Sequence, residues 1–291
     1  MSSRNPMPEP SVPTGEIVPA LAGLPNERET WSEPGEPLPA KETLPTMYDL
    51  PDEEVGQPGM PDEFHLWQPR LLDETFRPAG YGEAERFTAS DLNLYYDVRR
   101  TSLYVRPDWY AVVGIPAESP RELKRSYVIW QEGIVPFLVV ELLSPSTEDN
   151  DLGLRTGDAT GKPVKWEVYE RMVRVPYYVT FSRYTNEMRV FRLVAVRYEE
   201  LTDHQGRFWM PEVELGLGLW QGTYHGEDRL WLRFFDVDGR WIPTPLEKER
   251  SEKEEALEMA ETERLEKEAA LEKAEKLAAK LKELGIDPDT L

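Results

Sequence analysis

One short run of the sequence constrains the fold more than any other. Residues Phe137–Leu143 read Phe-Leu-Val-Val-Glu-Leu-Leu and are apolar at every position but one. Such a run is typical of a central strand that is covered on both faces. The single charge, on Glu141, is costly to bury unless its carboxylate is paired or binds a cation. Glu141 is therefore the first candidate functional residue.

The middle of the chain alternates between strand-like and helix-like segments. Lys165–Val173 has helical spacing, and Pro176 should end that helix. Short apolar segments bounded by Pro, Gly or Ser predict further strands. These are Leu92–Tyr96, Asp108–Val113, Tyr177–Ser182, Met188–Ala195, Arg207–Met210 and Leu230–Phe235, and Gly216–Gly222 is a turn-rich strand region. We expect an α/β fold with a mixed sheet and few flanking helices.

The uneven spread of charge predicts three parts of the chain. Residues 1–60 hold 12 of the 26 prolines and a net charge of −8, so we expect them to be disordered. Residues 246–291 are rich in Glu, Lys, Ala and Leu and have a net charge of −6, which predicts a helical tail. Residues 61–245 hold nearly all the aromatic side chains and form the predicted folded domain.

The tail is expected to be helical from about Glu247 to Leu284, with Gly285 as the stop. Four of its apolar residues follow 3-4-3 spacing, the pattern of a coiled-coil seam. They are Ala274, Leu277, Leu281 and Leu284. The tail predicts a homo-oligomer if this seam pairs two chains, and a solitary charged helix is the alternative.

Composition excludes several classes of protein. The chain has no cysteine, which removes disulfide frameworks, cysteine zinc sites and thiol nucleophiles. Its three histidines lie far apart in sequence, which makes a histidine zinc site improbable. No apolar run reaches the 18 or so residues of a membrane span, and the first residues do not resemble a signal peptide. We expect a soluble cytoplasmic protein that does not contact membranes.

Two acids and one lysine form the strongest chemical constellation. Asp108 opens a predicted strand, Glu141 lies in the next strongly apolar strand, and Lys165 opens the predicted helix. Two carboxylates on neighbouring strands can hold a divalent metal, which activates water and stabilises charge on a phosphate. A lysine nearby can orient the water or neutralise developing charge. In the alternative, Asp108 caps a strand, Glu141 pairs with a buried arginine, and Lys165 is solvated.

An ordered series of segments resembles the Uma family, a bacterial group with the PD-(D/E)XK restriction-endonuclease-like fold. The matching segments are Asp91–Asp97, Arg106–Trp109, Arg125–Trp130, Val140–Thr147, Asp151–Gly153, Lys165–Tyr169 and Val175–Tyr178, within residues 70–245. The resemblance implies a central mixed sheet flanked by helices and Mg²⁺- or Mn²⁺-dependent cleavage of phosphodiester bonds in DNA. It makes Asp108 and Glu141 the metal-binding acids, with Lys165 as the third catalytic residue.

The position of the lysine departs from the superfamily pattern. That pattern places a lysine two residues after the second acid, where this chain has Leu143. Lys165 matches the position to which relatives move the lysine, since it shares a helix face with Tyr169. Lys162 is the competing candidate. Glu74 and, more weakly, Asp91 are candidates for a further metal-binding acid.

Two classes of function follow. The first is a metal-dependent DNA endonuclease, and the second is a catalytically silent protein on the same scaffold that acts through its helical tail. The net charge of −21 argues against coating nucleic acid by bulk charge but does not exclude a local basic groove. Six basic residues near the first acid favour the endonuclease, although a solvated loop explains them equally well. They are Arg99, Arg100, Arg106, Arg121, Lys124 and Arg125.

Overall fold

A computed structural model of the chain describes residues 62–118, 123–144, 148–154, 162–201 and 206–283. The predicted disordered segment, residues 1–60, lies outside the described residues, so the three-part division of the chain stays a prediction. The strands are β1 Arg86–Ala89, β2 Leu94–Tyr95, β3 Tyr104–Val105, β4 Trp109–Val113, β5 Tyr127–Val128, β6 Leu138–Leu143, β7 Tyr177–Ser182, β8 Glu187–Val194, β9 Arg197–Glu200, β10 Arg207–Met210, β11 Leu215–Tyr224 and β12 Glu227–Phe235. The α-helices are α1 Glu63–Thr75, α2 Ile129–Glu132, α3 Glu148–Asp151, α4 Lys165–Glu167 and α5 Pro245–Glu283.

The apolar run that carries Glu141 forms the centre of a mixed sheet. The strand order of this sheet is β1-β4-β6-β7-β8-β9, and all six residues of β6 are buried. Strand β4 pairs with β6 in antiparallel fashion, whereas β7 pairs with it in parallel. The parallel register sets Glu141 opposite Thr180 and Leu143 opposite Ser182, so both strands end at one edge of the sheet. The expected mixed α/β fold is confirmed.

Each face of the central sheet is covered by its own apolar cluster. Alternation along β6 turns Val140 and Leu142 toward a cluster that includes α1 and the sheet β10-β11-β12. Val139 faces the other cluster, with Tyr169 and Tyr178. Glu141 shares the Val139 face because it lies two residues further along the strand. A third small sheet, β3-β2-β5, contributes Leu94 and Tyr127 to this second cluster.

The helix predicted over Lys165–Val173 is present, but its geometry changes along its length. The first turn, α4, is α-helical, and Val168–Val173 continues it as a π-helix. Arg174 ends the helix in the left-handed conformation, with φ of 62°, and the Val175 N–H donates to the Tyr169 carbonyl at 2.9 Å. Short π-helical stretches are rare and often occur at functional sites, because they re-aim the side chains of the turn.

The predicted tail helix is confirmed as α5, whereas Leu284 and the predicted stop at Gly285 lie outside the described residues. Thr244 and Glu247 cap its start reciprocally: the Glu247 carboxylate accepts from the Thr244 N–H at 2.8 Å, and Thr244 Oγ1 accepts from the Glu247 N–H at 3.2 Å. Pro245 occupies the first position of the helix, where its missing N–H costs nothing. Arg233 of β12 is ion-paired with Glu247 and so anchors the helix to the domain. Pairing of α5 with a second chain stays a prediction.

Among the described residues, no helix has the length and apolar character needed to cross a lipid bilayer.

Candidate active site

The two predicted acids lie side by side at the carboxyl end of β6. Strand β4 begins at Trp109, opposite Val140, so Asp108 comes next to Glu141 across the pair. The Asp108 N–H donates to Glu141 Oε2 at 3.3 Å. The Asp108 carboxylate in turn accepts from the Leu142 N–H, with 2.6 Å from Oδ2 to the nitrogen. The end of the β4–β6 ladder thus holds both carboxylates in place.

Lys165 completes the constellation from the start of α4. Its Nζ lies 2.8 Å from Glu141 Oε2 and 3.6 Å from Asp151 Oδ1. The alternative interpretation paired Glu141 with a buried arginine. Its partner in the structure is Lys165. The Lys165 side chain as a whole is 27% exposed, whereas its partner Glu141 is fully buried. The structure brings Asp108, Glu141 and Lys165 together, whereas Lys162 has an exposed side chain.

Tyr169 fixes the second oxygen of the central carboxylate. Its hydroxyl donates to Glu141 Oε1 at 2.6 Å, while Lys165 occupies Oε2. Both donors come from the same helix, four residues apart, as the sequence spacing predicted. Neither oxygen of Glu141 can turn freely, and this rigidity is what a preorganised site requires.

The pKa values of Glu141 and Lys165 are both raised, for different physical reasons. Burial raises the pKa of Glu141 well above its ordinary value, and the carboxylates of Asp108 and Asp151 add to the effect against the attraction of Lys165. Burial acts to lower the pKa of Lys165, but Asp151, Glu141 and Asp108 outweigh it and raise that pKa. The lysine stays positively charged, and the site gathers three acids around one cation.

The donor set suits a hard divalent cation. The described residues contain no group of three or more His, Asp or Glu side chains arranged to hold a metal ion. Mg²⁺ is commonly bound by one or two carboxylates, with waters and substrate phosphates completing its shell. The buried Glu141, with its raised pKa, and the adjacent Asp108 supply such a pair. These residues fit Mg²⁺ or Mn²⁺, because both favour oxygen ligands.

The two candidates for a further acid lie in different places. The Glu74 carboxylate, near the end of α1, accepts from Arg70 and from the Tyr224 hydroxyl. Asp91 lies nearer the site: burial and the charge of Asp108 raise the pKa of its carboxyl. Asp91 has an ion pair with Arg106 at 3.7 Å.

Several of the predicted basic residues have acidic partners. Arg100 pairs with Asp97 at 2.8 Å, and Lys124 pairs with Glu132 at 2.6 Å. Arg121 lies outside the described residues. The local pairing weakens the case for this segment as a binding surface for DNA, because a paired cation offers less attraction to a phosphate.

Three residues near the site were not identified from the sequence. Asp62 caps α1 by accepting from the His65 N–H at 3.0 Å, and its Oδ1 lies 2.8 Å from His65 Nδ1. His65 Nε2 then lies 3.4 Å from the Leu142 carbonyl oxygen. Arg183 follows β7 and is ion-paired with Asp62. The spacing Asp62-x-x-His65 is an N-cap signal, but it does not reveal which strand the helix approaches.

Comparison with models of known protein families gives a match to this chain. The family model Uma2, described as "Putative restriction endonuclease", matches residues 36–224, which is more than half of the chain. A search of curated proteins found no match. The matched span contains Asp108, Glu141 and Lys165 and ends at the last residue of β11.

Proposed function

The chain belongs to the Uma2 family, and from that premise we propose that it is a metal-dependent endonuclease that hydrolyses phosphodiester bonds in DNA. Asp108 and Glu141 are the proposed metal ligands, and Lys165 is the third catalytic residue. One observation carries the proposal: a buried carboxylate, its neighbouring acid and a charged lysine meet at the carboxyl end of one strand. A purely structural ion pair would not require the second acid.

The residues divide the chemistry between them. When bound, Mg²⁺ or Mn²⁺ supplies a Lewis acid that lowers the pKa of a water molecule. The Lys165 ammonium, held by Glu141 and Asp151, is placed to orient that water or to offset charge that develops on the phosphate. Tyr169 keeps the Glu141 carboxylate in a single orientation. Leu142 does the same for Asp108 through its backbone N–H.

Plasmid cleavage with Mg²⁺ or Mn²⁺ tests the proposal. Asp108→Asn and Glu141→Gln should each abolish cleavage, because each removes a negative ligand at nearly constant shape. Lys165→Ala should lower the rate by about two to four orders of magnitude, a typical loss for such a group. Metal binding should change less, since the lysine is not a ligand.

Matched controls separate catalysis from stability. Lys162→Ala removes a neighbouring exposed lysine and should be mild. Glu212→Gln removes an exposed acid that pairs with Tyr177 and Arg192, and should leave cleavage unchanged. If the wild-type protein cleaves no DNA, or if Lys162→Ala lowers the cleavage rate and Lys165→Ala does not, the assignment of these site residues is wrong. If Asp108→Asn or Glu141→Gln unfolds the chain, the acids are structural and the silent scaffold is favoured.

A further inference from the structure

Two arginines share one aromatic ring on the α1 face of the central sheet. The Arg183 guanidinium lies 5.9 Å from the centre of the Phe64 ring, and that of Arg229 lies 4.4 Å from it. Arg229 also donates from Nη2 to the Arg183 carbonyl oxygen at 3.3 Å. Two positive charges are therefore held close together on an apolar platform.

The arginine pair has little compensating charge. Arg183 is ion-paired with Asp62, which also accepts from the His65 ring. Within the described residues, Arg229 forms no salt bridge, and Nε of both arginines is buried without a hydrogen-bond partner. Burial and the charge of Arg183 lower the pKa of the Arg229 guanidinium, against the attraction of Asp62 and Glu227.

This cluster lies at the same end of the central sheet as the candidate active site, but on the α1 face, opposite the face that carries Glu141. Ser182, the last residue of β7, is level with Leu143 of β6, so Arg183 follows the sheet at the end toward which Glu141 lies. His65 connects the two, because Asp62 holds its Nδ1 and its Nε2 approaches the Leu142 carbonyl oxygen. Burial acts to lower the pKa of His65, but Asp62 and the charge of Asp108 outweigh it and raise that pKa.

We propose that His65, Arg183 and Arg229 form a subsite that binds a backbone phosphate of the DNA other than the phosphate that is cleaved. The inference rests on the proposed function for the identity of the substrate as DNA. Arginine suits this role because its planar, permanently charged group matches phosphate oxygens. The catalytic centre itself gathers carboxylates around one lysine, so it needs an attractive surface next to it to hold a polyanion. A net charge of −21 makes such a local surface necessary.

DNA binding by the full chain tests the subsite. The probe is a short fluorescein-labelled duplex, followed by fluorescence anisotropy without added metal so that the duplex stays intact. Arg183→Gln and Arg229→Gln should each weaken binding about tenfold, the size expected for one charged contact. Each should also reduce the slope of log K against log salt concentration by about one, because one fewer phosphate is neutralised.

Two further variants isolate charge from folding. Asp62→Asn removes the shared counter-charge at constant shape and should tighten binding of the duplex. Arg183→Lys keeps the charge and should retain the wild-type salt slope. Arg240→Gln is the matched control, since Arg240 is 72% exposed and pairs with Asp236 and Asp238 in the turn after β12. It should leave binding unchanged.

The outcomes separate this inference from the proposed function. If both Gln variants bind the duplex as tightly as the wild type and with the same salt slope, the subsite is overturned, whether or not the chain cleaves DNA. A wild-type chain that does not bind the duplex, or weaker binding by Asp62→Asn with its thermal melt unchanged, overturns it as well. Loss of binding in both Gln variants, with melts like that of the wild type, supports the subsite even if no DNA is cleaved. In that case the nuclease proposal fails alone.

Discussion

At the scale of single residues, Glu141 shows how a buried charge can be tolerated for a purpose. The side chain is fully buried, and each of its oxygens accepts a hydrogen bond, from Lys165 or from Tyr169. Even so, its pKa is raised, because the lost hydration and two neighbouring acids exceed the attraction of one lysine. Such an acid opposes folding in its charged form and is expected where function requires it.

Glu141→Gln should therefore stabilise the fold at neutral pH while it abolishes cleavage. A raised pKa in the folded chain means that ionisation costs folding free energy as the pH rises above the ordinary carboxyl value of 4.5. Gln mimics the neutral acid and avoids that cost, so the free energy of unfolding should rise by about 0.5–2 kcal/mol. Thermal melts of both proteins should nearly coincide at the most acidic pH and separate as the pH rises. If the difference between the two melting temperatures narrowed as the pH rose, the pKa of Glu141 would be lowered and not raised in the folded chain.

At the scale of elements, the turn after α3 and the start of α4 depend on each other. Gly153 adopts φ of +69°, a conformation that L-residues rarely take. A Cβ atom there would lie 2.7 Å from the Trp166 ring, which is too close for any side chain. Trp166 is the neighbour of Lys165, and Asp151 contacts the same lysine. The Asp151-Leu-Gly153 turn thus holds α4, and with it the Lys165 ammonium group, in position.

Gly153→Ala should destabilise the fold by about 1–3 kcal/mol, from backbone strain and displacement of the Trp166 ring. Cleavage should fall as well, because the shift of Trp166 carries Lys165 with it. Gly80→Ala is the matched control: φ is +78°, but no atom lies within 4 Å of the added Cβ. The midpoint of urea unfolding should fall further for Gly153→Ala than for Gly80→Ala. Equal shifts for both variants would assign the whole effect to strain and remove the role of Trp166.

At the scale of the whole molecule, α5 is a long charged helix that the domain holds at one end. The Thr244–Glu247 cap and the ion pair of Arg233 with Glu247 secure its first turn. Beyond that, nearly all of its described side chains are exposed, and several large apolar ones face solvent. These are Leu257, Met259, Leu265, Leu271 and Leu277. A helix with exposed apolar side chains gains stability when a second copy covers those that share one face, such as Leu277 in the predicted seam.

The full-length chain should sediment as a dimer through α5. A chain that ends at Arg250 keeps the cap and the Arg233–Glu247 pair, so its domain should stay folded and sediment as a monomer. Analytical ultracentrifugation of both proteins at equal concentration measures the difference. The same number of subunits in both would refute a dimerising tail and leave a solitary helix.

Local patterns in the sequence predicted much of the fold. The apolar run of β6, the strands β4, β7, β8 and β10, and the tail helix follow from hydrophobic periodicity and from Pro and Gly boundaries. The two-residue strands β2, β3 and β5 are too short for a full period to appear, and β2 occupies only part of the predicted Leu92–Tyr96. The π-helix was also beyond sequence patterns, because its geometry depends on how Tyr169 packs against the sheet.

The candidate site was only half determined by the sequence. Asp108, Glu141 and Lys165 could be named because an acid in an apolar strand is conspicuous and because the segments around them resemble a known family. Only the tertiary structure decided that Lys165 is the partner of Glu141, that His65 approaches the Leu142 carbonyl oxygen, and that Arg183 and Arg229 share the Phe64 ring. Hydrophobic periodicity is a property of neighbouring residues, whereas the meeting of distant side chains depends on strand order and register, which the folded chain alone establishes.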